Sequence, residues 1–227
     1  MSVFAIADTH LSFGTDKPMD SFPGWNDYVA RLELSWKKIV TEKDTVVIAG
    51  DISWAMSFDE LYNDFAFLNS LPGKKIIGKG NHDYWWNTLS KMNKFIEENG
   101  FNTISFLFNN SYTADGISIC GSRGWMFENP DEHDETVLAR ELGRIKRSLD
   151  SAQAGETAVF LHYPPVTTVT QCDEILTLLK DYNVKRCYYG HLHGAAAKTA
   201  FEGELDGIDF RLISGDRLSF VPLLIKK

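Results

Sequence analysis

The chain has 227 residues, of which 44% are hydrophobic and 24% charged, and its net charge at pH 7 is −8. Such a length and composition are those of a globular protein with a substantial core. The negative charge argues against a protein that holds long nucleic acid on a broad basic surface, but it does not exclude a phosphate ester substrate, because bound divalent metals dominate the local field of a site.

Short apolar runs typical of buried strands alternate with helical periodicity through the first half of the chain. The predicted elements are a strand over 3–7, a helix over 25–40, a strand over 45–49, a helix to 69, a strand over 75–78 and a helix over 86–98. The helix that ends at 69 is predicted to begin with a capping box, Ser57-Phe58-Asp59-Glu60.

The second half continues the alternation. A strand over 104–108 precedes a hairpin of 111–114 and 117–120, whose Asp115-Gly116 pair is typical of a type I′ turn. A helix over 135–152, a strand over 157–161, a helix over 172–182 and a strand over 186–189 follow. The tail, 195–225, is predicted as a β-meander with turns at Gly203 and Asp206-Gly207. This pattern indicates an α/β protein, and since no linker, charge block or repeat divides it, we predict a single domain over 1–227.

Cysteine usage and hydropathy bear on the cellular compartment. The three cysteines are odd in number and form no Cys-x-x-Cys pair: Cys120, Cys172 and Cys187. Cys120 and Cys187 lie in apolar runs, where buried reduced thiols are expected rather than disulfides. The apolar run 3–7 is too short for the core of a signal peptide, and no stretch reaches membrane-spanning length. We therefore expect a cytoplasmic protein without a membrane partner.

Five short motifs follow predicted strands, and they contain five of the six histidines. They are Asp8-Thr9-His10, Gly50-Asp51, Gly80-Asn81-His82-Asp83, His162 and Gly190-His191-Leu192-His193. In open α/β sheets, ligands bind beyond the carboxyl ends of the strands. Asp, Asn and His supply hard oxygen ligands, neutral imidazoles and a carboxylate able to bridge two ions, so the pattern predicts a two-metal centre. The sixth histidine, His133, lies in the acidic run 128–135 and is expected in a solvated loop.

In order and residue type, these motifs resemble those of the calcineurin-like metallophosphoesterases, and the resemblance covers the chain from Asp8 to His193. It implies a four-layer α/β/β/α sandwich of two mixed sheets, the tail completing the second sheet. It also implies two metal ions with seven ligands: Asp8, His10 and His193 on one ion, Asn81, His162 and His191 on the other, and Asp51 as the bridge. A set rich in histidine and without thiolate suits Mn, Fe, Zn, Co or Ni, and Mn is expected first because bacterial relatives commonly use it.

His82 has no metal to bind in this pattern. It resembles the histidine that donates a proton to the leaving alkoxide or stabilises its developing charge. For the adjacent Asp83 two roles stay open: it orients the His82 ring, or it caps the following helix.

The chain departs from two well-known branches of the superfamily around Trp54. Protein serine/threonine phosphatases carry an acid and a phosphate-clamping arginine where this chain has Trp54 and Ala55. Purple acid phosphatases carry a metal-binding tyrosine at the position of Trp54. Trp54 is therefore predicted either to wall the substrate site or to pack in the core. Arg123, after a predicted strand, either binds a phosphate in place of the missing clamp or lies on the surface.

The resemblance implies a phosphoric ester hydrolase in which a metal-bridging hydroxide attacks phosphorus and His82 assists the leaving group. The missing arginine clamp and the Gly-Asn-His-Asp motif lean toward phosphodiester or nucleotide-type substrates, and the aromatic run Tyr84-Trp85-Trp86 offers a surface for a nucleobase. The alternatives are a small-molecule phosphomonoesterase, a non-catalytic metal-binding scaffold and a DNA nuclease. The acidity of the chain weakens the last of these. The sequence leaves the oligomeric state open.

Overall fold

The computed structural model describes residues 1–125, 135–153 and 155–227. His133, predicted in a solvated loop, lies outside the described residues. None of the described helices is both long enough and apolar enough to cross a membrane.

Eleven strands of the described chain form two sheets. The first sheet has the order β11-β1-β2-β3-β4. Its strands are β1 (Val3–Ile6), β2 (Thr45–Ala49), β3 (Lys74–Gly78), β4 (Ile104–Phe106) and β11 (Leu223–Lys226). Strands β1 to β4 are parallel, and β11 pairs antiparallel with β1.

The second sheet has the order β5-β6-β7-β8-β10-β9. Its strands are β5 (Tyr112–Ala114), β6 (Ile117–Ser122), β7 (Glu156–Leu161), β8 (Arg186–Tyr189), β9 (Gly203–Leu205) and β10 (Ile208–Leu212). The four central strands are parallel and the two edge strands antiparallel, so both sheets are mixed as predicted.

Helices cover the outer face of each sheet. They are α1 (Tyr28–Ile39), α2 (Phe58–Ser70), α3 (Leu89–Glu98), α4 (Glu135–Asp150) and α5 (Asp173–Asp181). One core lies between the first sheet and α1–α3 and includes Trp36 and Phe65, and a second lies between the other sheet and α4–α5. A third core, with Val47 and Phe160, separates the two sheets. Burial on both faces explains the continuously apolar strands, and the predicted four-layer sandwich is confirmed.

Local sequence signals predicted one helix cap and one hairpin turn correctly. The Ser57 hydroxyl accepts a hydrogen bond from the Glu60 N–H at 3.3 Å, so Ser57 is the N-cap of α2. Asp115 and Gly116 have φ values of 48° and 78° between β5 and β6, as a type I′ turn requires.

The predicted meander in the tail is wrong. Strands β9 and β10 do form a hairpin at Asp206-Gly207, but Gly203 begins β9 and is not a turn, and β10 pairs parallel with β8. The chain then crosses to the first sheet as β11. Phe220 anchors this crossing, because its ring is fully buried against Trp25, 4.9 Å between ring centroids, in the core beneath α1. The tail therefore completes both sheets.

Helix α3 begins at Leu89, three residues after the predicted start. Residues 82–86 form successive turns instead, with the N–H of Tyr84 bonded to the carbonyl of His82 and that of Trp86 to the carbonyl of Asp83. The Tyr84-Trp85-Trp86 run thus lies in a loop at the end of the sheet.

The carboxyl ends of the parallel strands in both sheets meet at one edge of the sandwich. The N–H of Ala7, after β1, donates to the carbonyl of Ile213, after β10, at 2.8 Å. The N–H of Asp8 donates to the carbonyl of Gly50, after β2, at 2.9 Å. All five motifs follow strands that end at this edge, as the pattern predicted.

Candidate metal centre

Two overlapping groups of metal-binding side chains meet at the strand ends. The donor atoms of Asp8, His10 and His193 lie within 4.8 Å of one another, and so do those of Asp8, Asp51 and His162. One oxygen of Asp51 is 3.6 Å from His10 Nε2 and 3.5 Å from His162 Nε2. Asp51 therefore lies between the two groups.

Asn81 and His191 extend the second group. The Asn81 Oδ1 atom is 2.7 Å from His162 Nε2 and 3.0 Å from His191 Nδ1. All seven predicted ligands are thereby brought into one cluster: Asp8, His10, Asp51, Asn81, His162, His191 and His193.

The backbone that carries these side chains is strained. Asp8, His10, Asp51 and His191 have φ values of 59°, 41°, 50° and 71°, in the left-handed region that non-glycine residues rarely adopt. The His10 N–H donates to the Asp51 carbonyl at 3.0 Å, and the His191 N–H donates to the Asp8 carboxylate at 3.0 Å. Strain of this kind persists only where the surrounding structure imposes it, and it is concentrated at functional sites.

Two motif glycines are required by the closeness of these loops. A Cβ atom on Gly80 would lie 2.0 Å from Asp51 Oδ1, and one on Gly190 would lie 2.4 Å from Asp8 Oδ2. The glycines of Gly-Asn-His-Asp and Gly-His-x-His thus let the backbone contact the two carboxylates.

The protonation preferences of the cluster suit a cation. Asp8 and Asp51 are both buried. Burial, and then the carboxylates of Asp83 and Asp8, raise the pKa of Asp51 to about 9. Burial lowers the pKa values of His10 and His162 to about 3, which keeps both imidazoles in the neutral form that binds metals. A divalent ion would stabilise the ionised form of Asp51.

Two of the buried side-chain nitrogens that make no hydrogen bond within the described structure belong to the cluster, His10 Nδ1 and His193 Nε2. His193 Nε2 lies 3.1 Å from Asp8 Oδ1, within ion-pair distance. Burial alone would lower the pKa of His193, but the carboxylates of Asp8 and Asp216 raise it to about 10. Imidazole nitrogens beside carboxylate oxygens form a donor set that fits divalent transition metals.

His82 lies beside the cluster and belongs to neither group. Its N–H donates to Asp51 Oδ1 at 2.8 Å, and its Nδ1 atom is 3.2 Å from Tyr84 Oη. Its half-buried ring is 5.7 Å from the His10 ring and 4.5 Å from the Trp54 ring, centroid to centroid. Burial lowers the pKa of His82 below its ordinary value.

Trp54 and Arg123 flank the cluster on different sides. Trp54 stacks on His10 with 4.9 Å between centroids while packing against the core, so it both walls the site and fills the core. The Arg123 carbonyl accepts from the N–H groups of His162 and Tyr163 at 2.9 and 2.8 Å. Its guanidinium lies over the Tyr163 ring, 5.7 Å from the centroid.

The three aromatic residues after Asp83 separate in the structure. Tyr84 is exposed beside His82, whereas Trp85 is buried and donates to Asp83 at 3.1 Å. Trp86 is half-buried and lies parallel to Phe108, away from His82. Only Tyr84 of the three contacts a predicted site residue from the solvent side.

Residues 1–195 match the family profile described as calcineurin-like phosphoesterase. The chain belongs to the calcineurin-like phosphoesterase family. The match covers all five motifs, so both the suspected superfamily and the prediction of a phosphoric ester hydrolase are confirmed. No protein of curated function matches the sequence.

Solved structures share the fold of this phosphoesterase at low sequence identity. The phosphopantetheinyl hydrolase PptH from Mycobacterium tuberculosis is 16% identical, with a TM-score of 0.58 over 99% of this chain and 95% of that one. The protein of unknown function AQ665 from Aquifex aeolicus is 17% identical, with a TM-score of 0.53 over 98% and 95%. TT1561 of Thermus thermophilus is 13% identical, with a TM-score of 0.50 over 84% and 81%.

Asp216 is a member of the phosphoesterase site that sequence reasoning missed. One of its oxygens is 2.9 Å from His193 Nδ1, and the other accepts from the Gly194 N–H at 3.0 Å. A carboxylate on Nδ1 fixes the ring and leaves Nε2 for the cluster, as in carboxylate–histidine–metal pairs. The sequence signal that could have revealed Asp216 is the run Ser214-Gly215-Asp216, because these polar residues follow a strand as the other motifs do. The predicted meander hid it, because a meander does not bring β10 parallel to β8.

Replacing Asp216 by alanine is expected to weaken metal binding about 10- to 100-fold, because the His193 ring loses the partner that orients it. Calorimetric titration of the metal-free protein with Mn²⁺ measures this change in affinity. Asp206→Asn, an exposed turn position, is the matched control and should bind like the wild type. An unchanged affinity in Asp216→Ala would show that His193 is held by other contacts.

Asp83 organises the loops that carry the site. One oxygen accepts from the N–H groups of Asp51 and Gly80 at 2.9 and 2.7 Å. The other accepts from the N–H groups of Ile52 and Ser53 at 2.9 and 3.4 Å and from the indole of Trp85. The carboxylate is buried, and its oxygens are used by these donors rather than by the His82 ring. These contacts favour a structural role, and since α3 begins only at Leu89, that role is to join two loops rather than to cap the helix.

Asp64 on α2 joins this helix to the loops that carry the site. Its carboxylate accepts from the Phe13 N–H at 2.8 Å and from the Ser53 hydroxyl, which ties the loops after β1 and β2 to the helix. Burial raises the pKa of Asp64 to about 6, although both hydrogen bonds act in the opposite direction. The folded protein therefore takes up a proton here more readily than the unfolded chain does.

Asp64→Asn is expected to stabilise the metal-free protein at pH 7.5, by roughly 2–3 kcal/mol at most, and to change its stability little at pH 4. The reason is that a raised carboxyl pKa costs stability as pH rises from about 4 through 6, and asparagine does not ionise. Urea unfolding at both pH values measures the difference. Asp59→Asn, exposed on the same helix, controls for the loss of one charge. A loss of stability at pH 7.5 would contradict the expectation.

Proposed function

We propose that this phosphoesterase is a dinuclear metal-dependent hydrolase that acts on phosphodiester or nucleotide-type substrates. The observation that carries the proposal is the position of Asp51 between two groups of metal-binding side chains, 3.6 Å from His10 and 3.5 Å from His162. A shared carboxylate is what two ions about 4 Å apart require.

In the proposed assignment, three residues bind each ion and one is shared. Asp8, His10 and His193 would hold the first ion, Asn81, His162 and His191 would hold the second, and Asp51 would be shared by both. Mn²⁺ is the first candidate, ahead of Fe, Zn, Co and Ni, since the donors are imidazole and oxygen without thiolate. When bound, such ions activate water and neutralise charge on phosphoryl oxygens.

His82 is proposed to assist the leaving group. Its Nδ1 atom is engaged by Tyr84 Oη at 3.2 Å, which leaves Nε2 for the departing oxygen. Because burial lowers the pKa of His82, the ring is neutral near pH 7 and acts first as a hydrogen-bond donor to the developing charge. The Asp51–His82 backbone hydrogen bond couples the position of the ring to the proposed bridge.

The preference for diesters rests on what surrounds the cluster. Trp54 and Ala55 occupy the positions where protein phosphatases carry an acid and an arginine clamp for a dianionic monoester. Trp54 contributes an apolar wall beside His10 that suits a second ester group. Arg123, whose carbonyl accepts from the His162 N–H, is proposed to contact a phosphate of the substrate.

The test is a rate comparison with defined metals. The metal-free protein is loaded in turn with Mn²⁺, Fe²⁺, Zn²⁺, Co²⁺, Ni²⁺ or Mg²⁺ and assayed with p-nitrophenyl phosphate, bis-p-nitrophenyl phosphate, cyclic nucleotides and dinucleotides. We expect diesters to be hydrolysed faster than monoesters, and Mn²⁺ to support more activity than Mg²⁺. Faster monoester hydrolysis would contradict the diester preference. Full metal binding without hydrolysis of any ester would indicate a non-catalytic scaffold.

A further inference from the structure

A cavity of about 390 Å³ adjoins the loops that carry the proposed second metal group. Lys79, one of its lining residues, is two positions before Asn81, and Arg123, another, accepts from the His162 N–H through its carbonyl. The volume falls within the range of small-molecule sites. The cavity thus adjoins the cluster without containing any of its predicted ligands.

The cavity concentrates positive charge in an acidic protein. Lys79, Arg123 and Arg144 line it, together with the single carboxylate of Glu141. Glu141 is fully buried and already accepts from Arg144 at 2.8 Å and from the Gly124 N–H at 2.9 Å. Within the described residues, neither Lys79 nor Arg123 has a carboxylate within ion-pair distance. Among the described residues that line the cavity, the positive charges outnumber the negative by two, while the whole chain carries −8.

Three basic side chains from separate parts of the chain meet in this wall: Lys79, Arg123 and Arg144. Cations held near one another in a half-buried wall repel, and such an arrangement is stable at little cost when an anion lies between them. Guanidinium and ammonium groups in one wall are the usual recognition elements for phosphate oxygens.

Two aromatic rings also line the cavity, together with Leu107 and four polar residues: Asn87, Thr88, Asn109 and Ser122. Trp86 and Phe108 line the cavity with their rings nearly parallel, 8° between planes and 6.1 Å between centroids. Both rings are half-buried. They present an apolar surface next to the cations, which suits a ligand with a carbon framework and a charged end.

We propose that this cavity binds a second phosphate group, carried on the part of the substrate that does not react. Lys79 and Arg123 bind its oxygens, Arg144 adds charge, and Trp86 with Phe108 contacts the framework that joins the two phosphates. The inference rests on the proposed function, since it takes the reacting phosphate to lie at the metal cluster. The substrate class is then a phosphate ester that carries an additional terminal phosphate.

Two matched esters test the proposal with the Mn²⁺-loaded protein: the p-nitrophenyl ester of thymidine 5′-phosphate, with and without a 3′-phosphate. We expect kcat/KM to be about 100-fold higher with the second phosphate, about tenfold for each unpaired cation. The double variant Lys79→Ala/Arg123→Ala should reduce this ratio to about one. Lys180→Ala/Arg211→Ala, which removes the same charges from exposed ion pairs, should keep the wild-type ratio. Circular dichroism and Mn²⁺ content establish that both variants fold.

A binding arm separates failure of the subsite from failure of the proposed function. Calorimetry with the metal-free protein compares thymidine 3′,5′-bisphosphate, thymidine 5′-phosphate and inorganic phosphate. Tighter binding of the bisphosphate, lost in Lys79→Ala/Arg123→Ala, supports the subsite even when neither ester is hydrolysed, in which case only the proposed function is wrong. A wild-type ratio near one, or a ratio retained in the double variant, overturns the subsite. If inorganic phosphate binds as tightly as the bisphosphate, the cavity is a site for free phosphate, and its assignment to the substrate is wrong.

Discussion

Replacing His82 by alanine is expected to lower kcat about 10²- to 10⁴-fold, the usual contribution of a group positioned to donate a hydrogen bond or a proton to the leaving oxygen, while metal content stays near that of the wild type. His82 lies 5.7 Å from the His10 ring but belongs to neither group of proposed ligands, so removal of its side chain takes no donor from an ion. Steady-state kinetics with bis-p-nitrophenyl phosphate and elemental analysis of the same preparation measure the two quantities.

The leaving group provides a control within the same experiment. An aryl alcohol with a low pKa departs without much assistance, so His82→Ala should be less impaired with p-nitrophenyl esters than with alkyl esters. Tyr84→Phe keeps the imidazole and removes only its Nδ1 partner, and is expected to cost less than about tenfold. A fall in metal content in His82→Ala would show that His82 is a ligand, and equal losses with both ester types would contradict its role at the leaving oxygen.

Asp51→Asn is expected to abolish tight binding of at least one ion and to reduce activity by at least about a hundredfold. The carboxylate lies between the two groups of donors. A neutral amide lacks the negative charge that a ligand shared by two cations needs. Metal titration by calorimetry and initial rates at saturating Mn²⁺ measure the loss. Unchanged kinetics would exclude Asp51 as the bridge.

Thermal unfolding distinguishes loss of metal from loss of fold in this variant. Because burial and neighbouring carboxylates raise the pKa of Asp51 to about 9, the side chain is protonated at pH 7 in the metal-free protein, and asparagine resembles that form. The unfolded chain ionises Asp51 above about pH 4, whereas the folded metal-free protein keeps it protonated up to about pH 9, so the wild type loses stability across that range and Asp51→Asn does not. The metal-free variant should therefore have the higher Tm at pH 7, and the two Tm values should match near pH 4. Added Mn²⁺ should raise the Tm of the wild type far more than that of Asp51→Asn.

Local signals in the sequence predicted much of this molecule. Apolar runs of four to six residues marked most of the strands, because strands buried on both faces tolerate few polar side chains. The Ser57 cap and the Asp115-Gly116 turn followed from local chemistry, since one hydroxyl or two positive φ values determine each structure. The seven proposed ligands were found for a related reason. A metal site needs specific donor atoms, and these stand directly after strands whose ends must meet at one edge of a parallel sheet.

Other features depended on contacts between distant segments. The crossing of the tail to β11 is determined by burial of Phe220 beneath α1, and no pattern within 213–227 encodes that contact. Asp216 was missed because its relation to His193 exists only once β10 lies parallel to β8. The Lys79–Arg123–Arg144 cavity likewise assembles residues from three parts of the chain, and nothing in the sequence sets their charges apart from those of other surface residues.

The sequence by itself determined which atoms are available to bind metal and that they lie at the ends of buried strands, because donor chemistry and strand burial are local properties. Only the tertiary structure shows that the Asp83 carboxylate joins two loops, that Asp216 contacts His193, and that a basic cavity adjoins the cluster. Hydrogen-bond partners and electrostatic surroundings depend on distances of a few ångströms between segments far apart in the chain, and those distances exist only in the folded protein.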